Sequence, residues 1–397
     1  MRRRFAVLLA NASLVFVSIF VALLLCEVAL RLTLPRGLSG SWVVYAKDGL
    51  VANKSSGTAF HQIGAQRAEY RFAAPHLRDL DGDLPATGGP SRKVLVVGDS
   101  FTFGWLLSDR DTYVRRLEDY VNAGRPSDCP RLRFLDAAVG GWGAADYAVY
   151  LRDYLPAIRP DYVLVFFNTD DIGRALKSPM VSFERKRLTF RQGPPHRLKA
   201  LINDLPFYNL LLEHSEVVSM VRSAFWAIVS GELPGKGGAH LQKEIIVPGN
   251  DDSFSGDPAT ATVLGEALFD EIIRVCDANH TRLIVLTTGF MKFMTPNNPT
   301  GALYPGLRSF LSARGVPFID ISNEFAAATR NHLRDYLIPV AWHPNEKGAA
   351  LIAALIGPHL RSLLLERCDK TAAGSAASHR DSRAIGARVF AKVRTSP

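Results

Sequence analysis

The chain has 397 residues, 47% of them hydrophobic and 21% charged, with a formal net charge of +9 at pH 7. That composition excludes a wholly disordered, collagen-like or disulfide-dense protein, and the length suits one large α/β domain with attachments or two to three modules. Arg2, Arg3 and Arg4 supply +3 and residues 366–397 supply +4, which leaves residues 5–365 at only +2. A nucleic-acid-binding protein wears its positive charge on the folded domain, so no nucleic-acid partner is expected.

The arginine cluster is followed by residues 5–26, which carry no charge. As a helix this run spans roughly 33 Å, close to the roughly 30 Å of a bilayer's hydrocarbon core. Signal peptides have apolar cores of only about 7–15 residues and a small-residue cleavage site. Here the run ends Leu23-Leu24-Leu25-Cys26-Glu27, without such a site. Residues 1–33 therefore read as one transmembrane anchor. The arginines stay cytoplasmic, Glu27 lies at the far interface, and the rest of the chain is periplasmic or otherwise extracytoplasmic. Beyond Cys26, the scattered Cys129, Cys276 and Cys368 form no C-x-x-C or Cys/His spacing. Neither a disulfide framework nor a metal site is expected.

Residues 34–90 hold Gly37, Gly40, Ser55-Ser56-Gly57 and the turn-rich Thr87-Gly88-Gly89-Pro90, and read as a juxtamembrane connector with little regular structure. Short apolar runs follow at 93–98, 133–138, 162–167, 282–287 and 317–321, each typical of a strand buried on both faces. Helical spacing occupies 112–122, 147–157, 261–278 and 346–365. The alternation predicts a three-layer α/β/α domain over 91–365, built on about five parallel strands. An anomalously long interval, about 173–280, reads as an insertion. Its apolar Leu205, Leu211, Val217, Val218 and Val221 suit a lid, a membrane-facing amphipathic segment, or packing on the domain. Residues 366–397 read as a basic, disordered tail.

Gly98-Asp99-Ser100 directly follows the first of these strands. Ligands of open parallel sheets bind beyond the strands' carboxyl ends, where a serine hydroxyl can enter the crevice; the plain alternative is that Ser100 only caps a helix. The second strand ends in Gly140-Gly141-Trp142-Gly143, where glycine lets backbone N–H groups approach a ligand. His343, in Trp342-His343-Pro344-Asn345, precedes the last helix at the same edge of the sheet. A serine beside a histidine, with backbone donors for an oxyanion, is an acyl-transfer constellation.

With these motifs, residues 91–365 resemble the SGNH (GDSL-type) hydrolase family. The resemblance implies a flavodoxin-like fold, Ser100 as nucleophile and His343 as general base. It also implies backbone oxyanion donors at Ser100 and Gly141, and no cofactor. In the family's third block an asparagine side chain also donates. Ungapped alignment here gives Asn168-Thr169-Asp170-Asp171, which puts Asp170 at that position and Asn168 two residues before it. Either residue is a candidate for the oxyanion site. The family's acid before the histidine is replaced by Val340 and Ala341, leaving a backbone carbonyl or a more distant acid such as Asp335 to orient His343. The implied function is a membrane-anchored serine esterase or O-acyl transferase. Its substrate would be an ester-linked acyl group on a saccharide, cell-envelope polymer or lipid. The alternative is a catalytically impaired module that binds acylated glycan or scaffolds an envelope complex.

Overall fold

The computed structural model describes residues 2–33, 38–39, 42–46, 49–63, 66–80, 91–127, 129–168, 170–185, 187–191, 201–202, 205, 207–230, 258–288, 303–330, 332–339 and 343–366. Helix α1 (Arg2–Thr33) contains the apolar stretch Ala10–Thr33, long and apolar enough to cross a membrane and not buried against the domain. Six short strands follow: β1 (Leu38–Ser39), β2 (Val43–Tyr45), β3 (Val51–Asn53), β4 (Gly57–Ile63), β5 (Gln66–Ala73) and β6 (Leu77–Arg78).

The five expected buried strands are β7 (Ser91–Val97), β8 (Arg131–Asp136), β9 (Tyr162–Phe166), β12 (Arg282–Thr287) and β13 (Phe318–Asp320). They run parallel in the order β8-β7-β9-β12-β13, the doubly wound pattern in which the chain turns back beside its first strand. Successive side chains alternate between two cores. Leu95, Val97, Val163 and Val165 face one; Val94, Val96, Leu164 and Phe166 face the other.

The first core is closed by α4 (Ala144–Ile158), α5 (Asp170–Lys177), α8 (Pro258–Ala278) and α9 (Leu303–Ala313). The second is closed by α3 (Tyr113–Asn122), α10 (Ser322–Thr329) and α11 (Glu346–Glu366). A four-residue helix, α2 (Ser100–Phe103), follows β7. Although α11 is also apolar and long enough to span a membrane, it buries Ile352, Ile356, Leu360 and Leu364 in this core and is a domain helix.

Two expectations are corrected. Residues 34–90 are not a structureless connector: β1, β4, β5 and β6 extend the sheet beyond β8 by antiparallel pairing, giving nine strands in all among the described residues. In β5 the cause is a period-two pattern, with Ala68, Tyr70 and Phe72 buried between more exposed Arg67, Glu69 and Arg71. Nor is all of 173–280 inserted. The crossover helix is α8, whose Leu264, Leu268, Phe269 and Ile272 are fully buried. The described additions are a hairpin of β10 (Val181–Glu184) with β11 (Arg187–Phe190), then α6 (Tyr208–His214) and α7 (Glu216–Ser230). The tail beyond Glu366 lies outside the described residues.

Candidate active site

The chain leaves β7 through Gly98 and Asp99, and Ser100 opens α2. A Cβ on Gly98 would overlap the Thr102 side chain, so only glycine allows this turn to close. The Asp99 carboxylate caps α2 by accepting from the Phe101 N–H at 3.0 Å. The capping role that sequence allows to Ser100 thus belongs to Asp99, and the Ser100 hydroxyl is committed elsewhere: His343 Nε2 lies 2.8 Å from Ser100 Oγ. Both residues are buried, at 5% and 6% exposure, although 243 positions separate them in sequence.

Backbone ties around the His343 segment set its position. The Ile338 N–H donates to the His343 carbonyl at 2.7 Å, and Leu337 bridges to Pro344. Asn345 caps α11, accepting from the Gly348 N–H at 2.9 Å, while its amide donates to the carbonyls of Asp335 and Leu337. A Cβ on Gly348 would overlap the Tyr336 carbonyl oxygen. The imidazole packs on the rings of Phe101, at 4.6 Å and 24°, and Trp105, at 4.9 Å. Behind Trp105 stands His61, its ring 4.7 Å from the indole and its Nδ1 3.3 Å from the Tyr70 hydroxyl. Burial, reinforced by His343 and Arg222, holds the His61 pKa down at about 3. A neutral His61 does not oppose positive charge forming on His343.

The Gly140-Gly141 turn lies against the serine. A Cβ on Gly140 would sit 3.7 Å from Ser100 Cβ, and Gly141 takes φ = 83°, in the region that favours glycine. Arg174 ties this turn to the neighbouring strand ends. Its Nη1 donates to the Trp142 carbonyl at 2.9 Å and to the carboxylates of Asp99 and Asp171, both at 3.1 Å. Asn168 joins the same network, its side-chain amide donating to Asp99 at 3.1 Å and its backbone N–H to Asp171 at 2.8 Å. Tyr147 also donates to Asp171, at 3.0 Å. Burial first, and then the Asp99 charge, hold the Asp171 carboxyl well above the usual carboxylate range.

Arg78, on β6, braces the turn from the other side. Its guanidinium donates to the carbonyls of Phe103, Gly104 and Leu107 and pairs with Asp109 at 2.9 Å. Its burial is complete, and every carbonyl it holds belongs to α2 or the loop beyond.

Structural comparison aligns the chain with TesA over 68% of this chain and 99% of that one, at 12% identity and a TM-score of 0.38. It also aligns with a catalytic mutant of Axe2, an acetylxylan esterase from Geobacillus stearothermophilus, over 68% and 93%, at 14% identity and 0.38. A third match is the psychrotrophic esterase EstA from Pseudoalteromonas sp., over 69% and 99%, at 12% identity and 0.37. No family model and no curated protein matches the sequence.

Of the residues singled out from sequence, Ser100 and His343 are in direct contact, and Gly141 lies in the turn beside them. Asn168 reaches Asp99, the serine's immediate neighbour. Asp170 is buried at the start of α5. Asp335 does not orient His343: its carboxylate lies on the exposed surface, 4.0 Å from His332 Nδ1. Val340 and Ala341 lie outside the described residues. Among the described residues no group of His, Cys, Asp or Glu could hold a metal ion. Sequence reasoning passed over Phe101, Trp105, Asp171, Arg174 and Arg78. The signal available for Arg174 was its place one helical turn beyond Asp171, facing the same way.

Proposed function

We propose that the protein is a membrane-anchored, extracytoplasmic serine esterase or O-acyl transferase. Its substrate would be an acyl ester of a saccharide, envelope polymer or lipid. The observation that supports this is the buried 2.8 Å contact between Ser100 Oγ and His343 Nε2, at the carboxyl end of the first parallel strand. His343 takes the hydroxyl proton as Ser100 Oγ attacks the ester carbonyl. The tetrahedral oxyanion is met by the N–H groups of Ser100 and the Gly140-Gly141 turn, and by the amide of Asn168, which has a second hydrogen beyond the one given to Asp99. Collapse breaks the carbon–oxygen bond to the leaving alcohol, which takes the proton from His343 and leaves an acyl-Ser100. Water or an acceptor hydroxyl then gives its proton to His343, attacks the acyl carbon and frees Ser100. Asp170 is less suited to the oxyanion site, because an ionised carboxylate accepts and cannot donate.

Helix α1 anchors the chain, with Arg2–Arg4 cytoplasmic and the domain on the opposite side, supported by the length and apolarity of Ala10–Thr33. The exposed placement of Asp335 favours a second reading, an impaired acyl-glycan-binding module, because it leaves that acid unable to orient His343. One experiment separates the two. The full chain in detergent is treated with a fluorophosphonate probe and assayed on p-nitrophenyl acetate, beside Ser100→Ala. Labelling and turnover that both vanish in the variant support the serine mechanism. Equal rates in the two proteins remove it, and acyl-glycan binding without labelling supports the second reading.

A further inference from the structure

The end of α1 is clamped to the inserted helices. Glu27 accepts from the Ser215 hydroxyl at 2.9 Å and from the Glu216 and Val217 N–H groups at 2.9 and 3.0 Å, so its carboxylate caps the start of α7. Arg31, one turn further on, donates to Glu27 at 2.8 Å and to the His214 carbonyl, the last of α6, at 2.6 Å. The signs suit both ends: an anion at a helix N-terminus and a cation at a helix C-terminus. Glu27 directly follows the uncharged run 5–26. The junction of α6 and α7 is therefore held within about one helical turn of the place where that run ends.

At this level the inserted segment faces outward with large apolar side chains. Helix α6 buries Leu212 and exposes Leu210 and Leu211, while Phe207 just before it is 74% exposed. Leu201, Leu205 and Val221 are also exposed. On α1 itself Val28 and Leu32 continue the apolar surface past Glu27. Soluble monomers rarely carry such a contiguous patch without a use for it. An amphipathic helix beside a transmembrane span buries such a face roughly 5–10 Å into the headgroup and acyl boundary.

We propose that α6, together with the exposed Leu201, Leu205 and Phe207 before it, forms an interfacial membrane-docking surface. The Glu27–Arg31 clamp holds it against the outer face of the bilayer that α1 crosses. The inference rests on the anchor reading above. Continuity with the span selects lipid as the occupant, because the clamp sets the patch at the interface and the apolar face of α1 runs on past Glu27.

The test uses the full chain with Cys26→Ser and Cys368→Ser, since Cys129 and Cys276 are buried. An environment-sensitive fluorophore is placed singly at Phe207→Cys, Leu210→Cys, Leu14→Cys or Glu324→Cys. Each protein is reconstituted in phosphatidylcholine–phosphatidylglycerol vesicles containing lipids spin-labelled along the acyl chain. Glu324 serves as the aqueous control, on α10 beyond β13 at the sheet edge opposite β1, against which α6 and α7 pack. The expected result is blue-shifted emission at Phe207 and Leu210, quenched by spin-labelled lipid several-fold more strongly than at Glu324. A quenched Leu14 probe with Phe207 and Leu210 matching Glu324 overturns the docking surface and leaves the anchor standing. Probes at 207 and 210 that are shielded from aqueous acrylamide yet unquenched by lipid show protein covering the patch, and also overturn it. An unquenched Leu14 probe overturns both readings.

Discussion

Arg174 offers the sharpest test of how the site is held together. Its side chain is 13% exposed and lies between two carboxylates that are 1% and 0% exposed, those of Asp99 and Asp171. Arg174→Met keeps the apolar stem but removes the cation that the buried Asp99 and Asp171 carboxyl groups share. Breaking a buried ion pair from one side costs about 3–5 kcal/mol. For a domain of this size that loss lowers the unfolding midpoint by on the order of 10 °C. Asp171 already titrates above the usual carboxylate range because it is buried; losing the guanidinium, which lowers that pKa, raises it further, so the folded form holds the additional proton. This pH-dependent part of the loss is therefore smallest at acidic pH, where Asp171 is protonated, and grows as pH rises through its raised folded pKa. Adding Asp171→Asn removes the carboxyl left without its cation and should return the pH-dependent part of the loss. The assay is thermal unfolding of the full chain in detergent at acidic and mildly alkaline pH, for the wild type, both single variants and the double variant. A loss below about 1 kcal/mol refutes the buried-network account, as does a loss independent of pH or strictly additive single and double variants.

Asn168→Ala should lower kcat on p-nitrophenyl acetate by about 10²–10³, the usual cost of an oxyanion donor, with little change in KM. Asp170→Asn should not raise the rate near neutral pH; a clear increase would place Asp170 at the oxyanion site instead. Burial pushes the Asp136 carboxyl up to about 7, so folding loses stability as pH climbs from about 4 through 7. Asp136→Asn should flatten that part of the stability–pH curve by up to about 4 kcal/mol, and an unchanged curve would contradict it. Gly348→Ala should cost about 1–3 kcal/mol and reduce turnover, because the new methyl group displaces the Tyr336 carbonyl beside the His343 loop. Unaltered stability in denaturant titration would show that this backbone contact does not matter.

The five parallel strands were legible because each holds a short apolar run; β9 and β12 are buried on both faces, whereas β8 alternates buried Leu132 and Phe134 with exposed Arg133. Ser100 and His343 were legible for a related reason, since one directly follows a predicted strand and the other directly precedes a predicted helix. The N-terminal strands were hidden. Their burial depends on pairing with one another and with the edge of β8; β5 alternates arginine or glutamate with apolar residues such as Ala68, and β4 holds only Ala59, Phe60 and Ile63 as apolar residues. Gly57, after two serines, reads as linker yet starts β4. The Asp99–Asn168–Arg174–Asp171 network was out of reach in another way: it joins the ends of β7 and β9 through α5, and only the fold brings those ends together. Asp335 was a reasonable candidate by chain distance, but the short 3₁₀ turn Leu333–Tyr336 leaves its carboxylate in solvent.

The brace supplied by Arg78 changes where the structural unit around Ser100 begins. A chain started at residue 91 retains every strand, helix and motif of the parallel domain. It lacks the guanidinium that satisfies three buried carbonyls after Ser100, and the Asp109 carboxylate loses its 2.9 Å ion pair. The same cut bares the edge of β8 and removes Trp42 and Tyr70 from the face of Phe103. Transplanting the segment that starts at residue 91, or shortening the stretch between α1 and the sheet, is therefore surgery on the support of Ser100. Variation in what looks like a spacer should register as altered chemistry at the serine before it registers as altered distance from the bilayer.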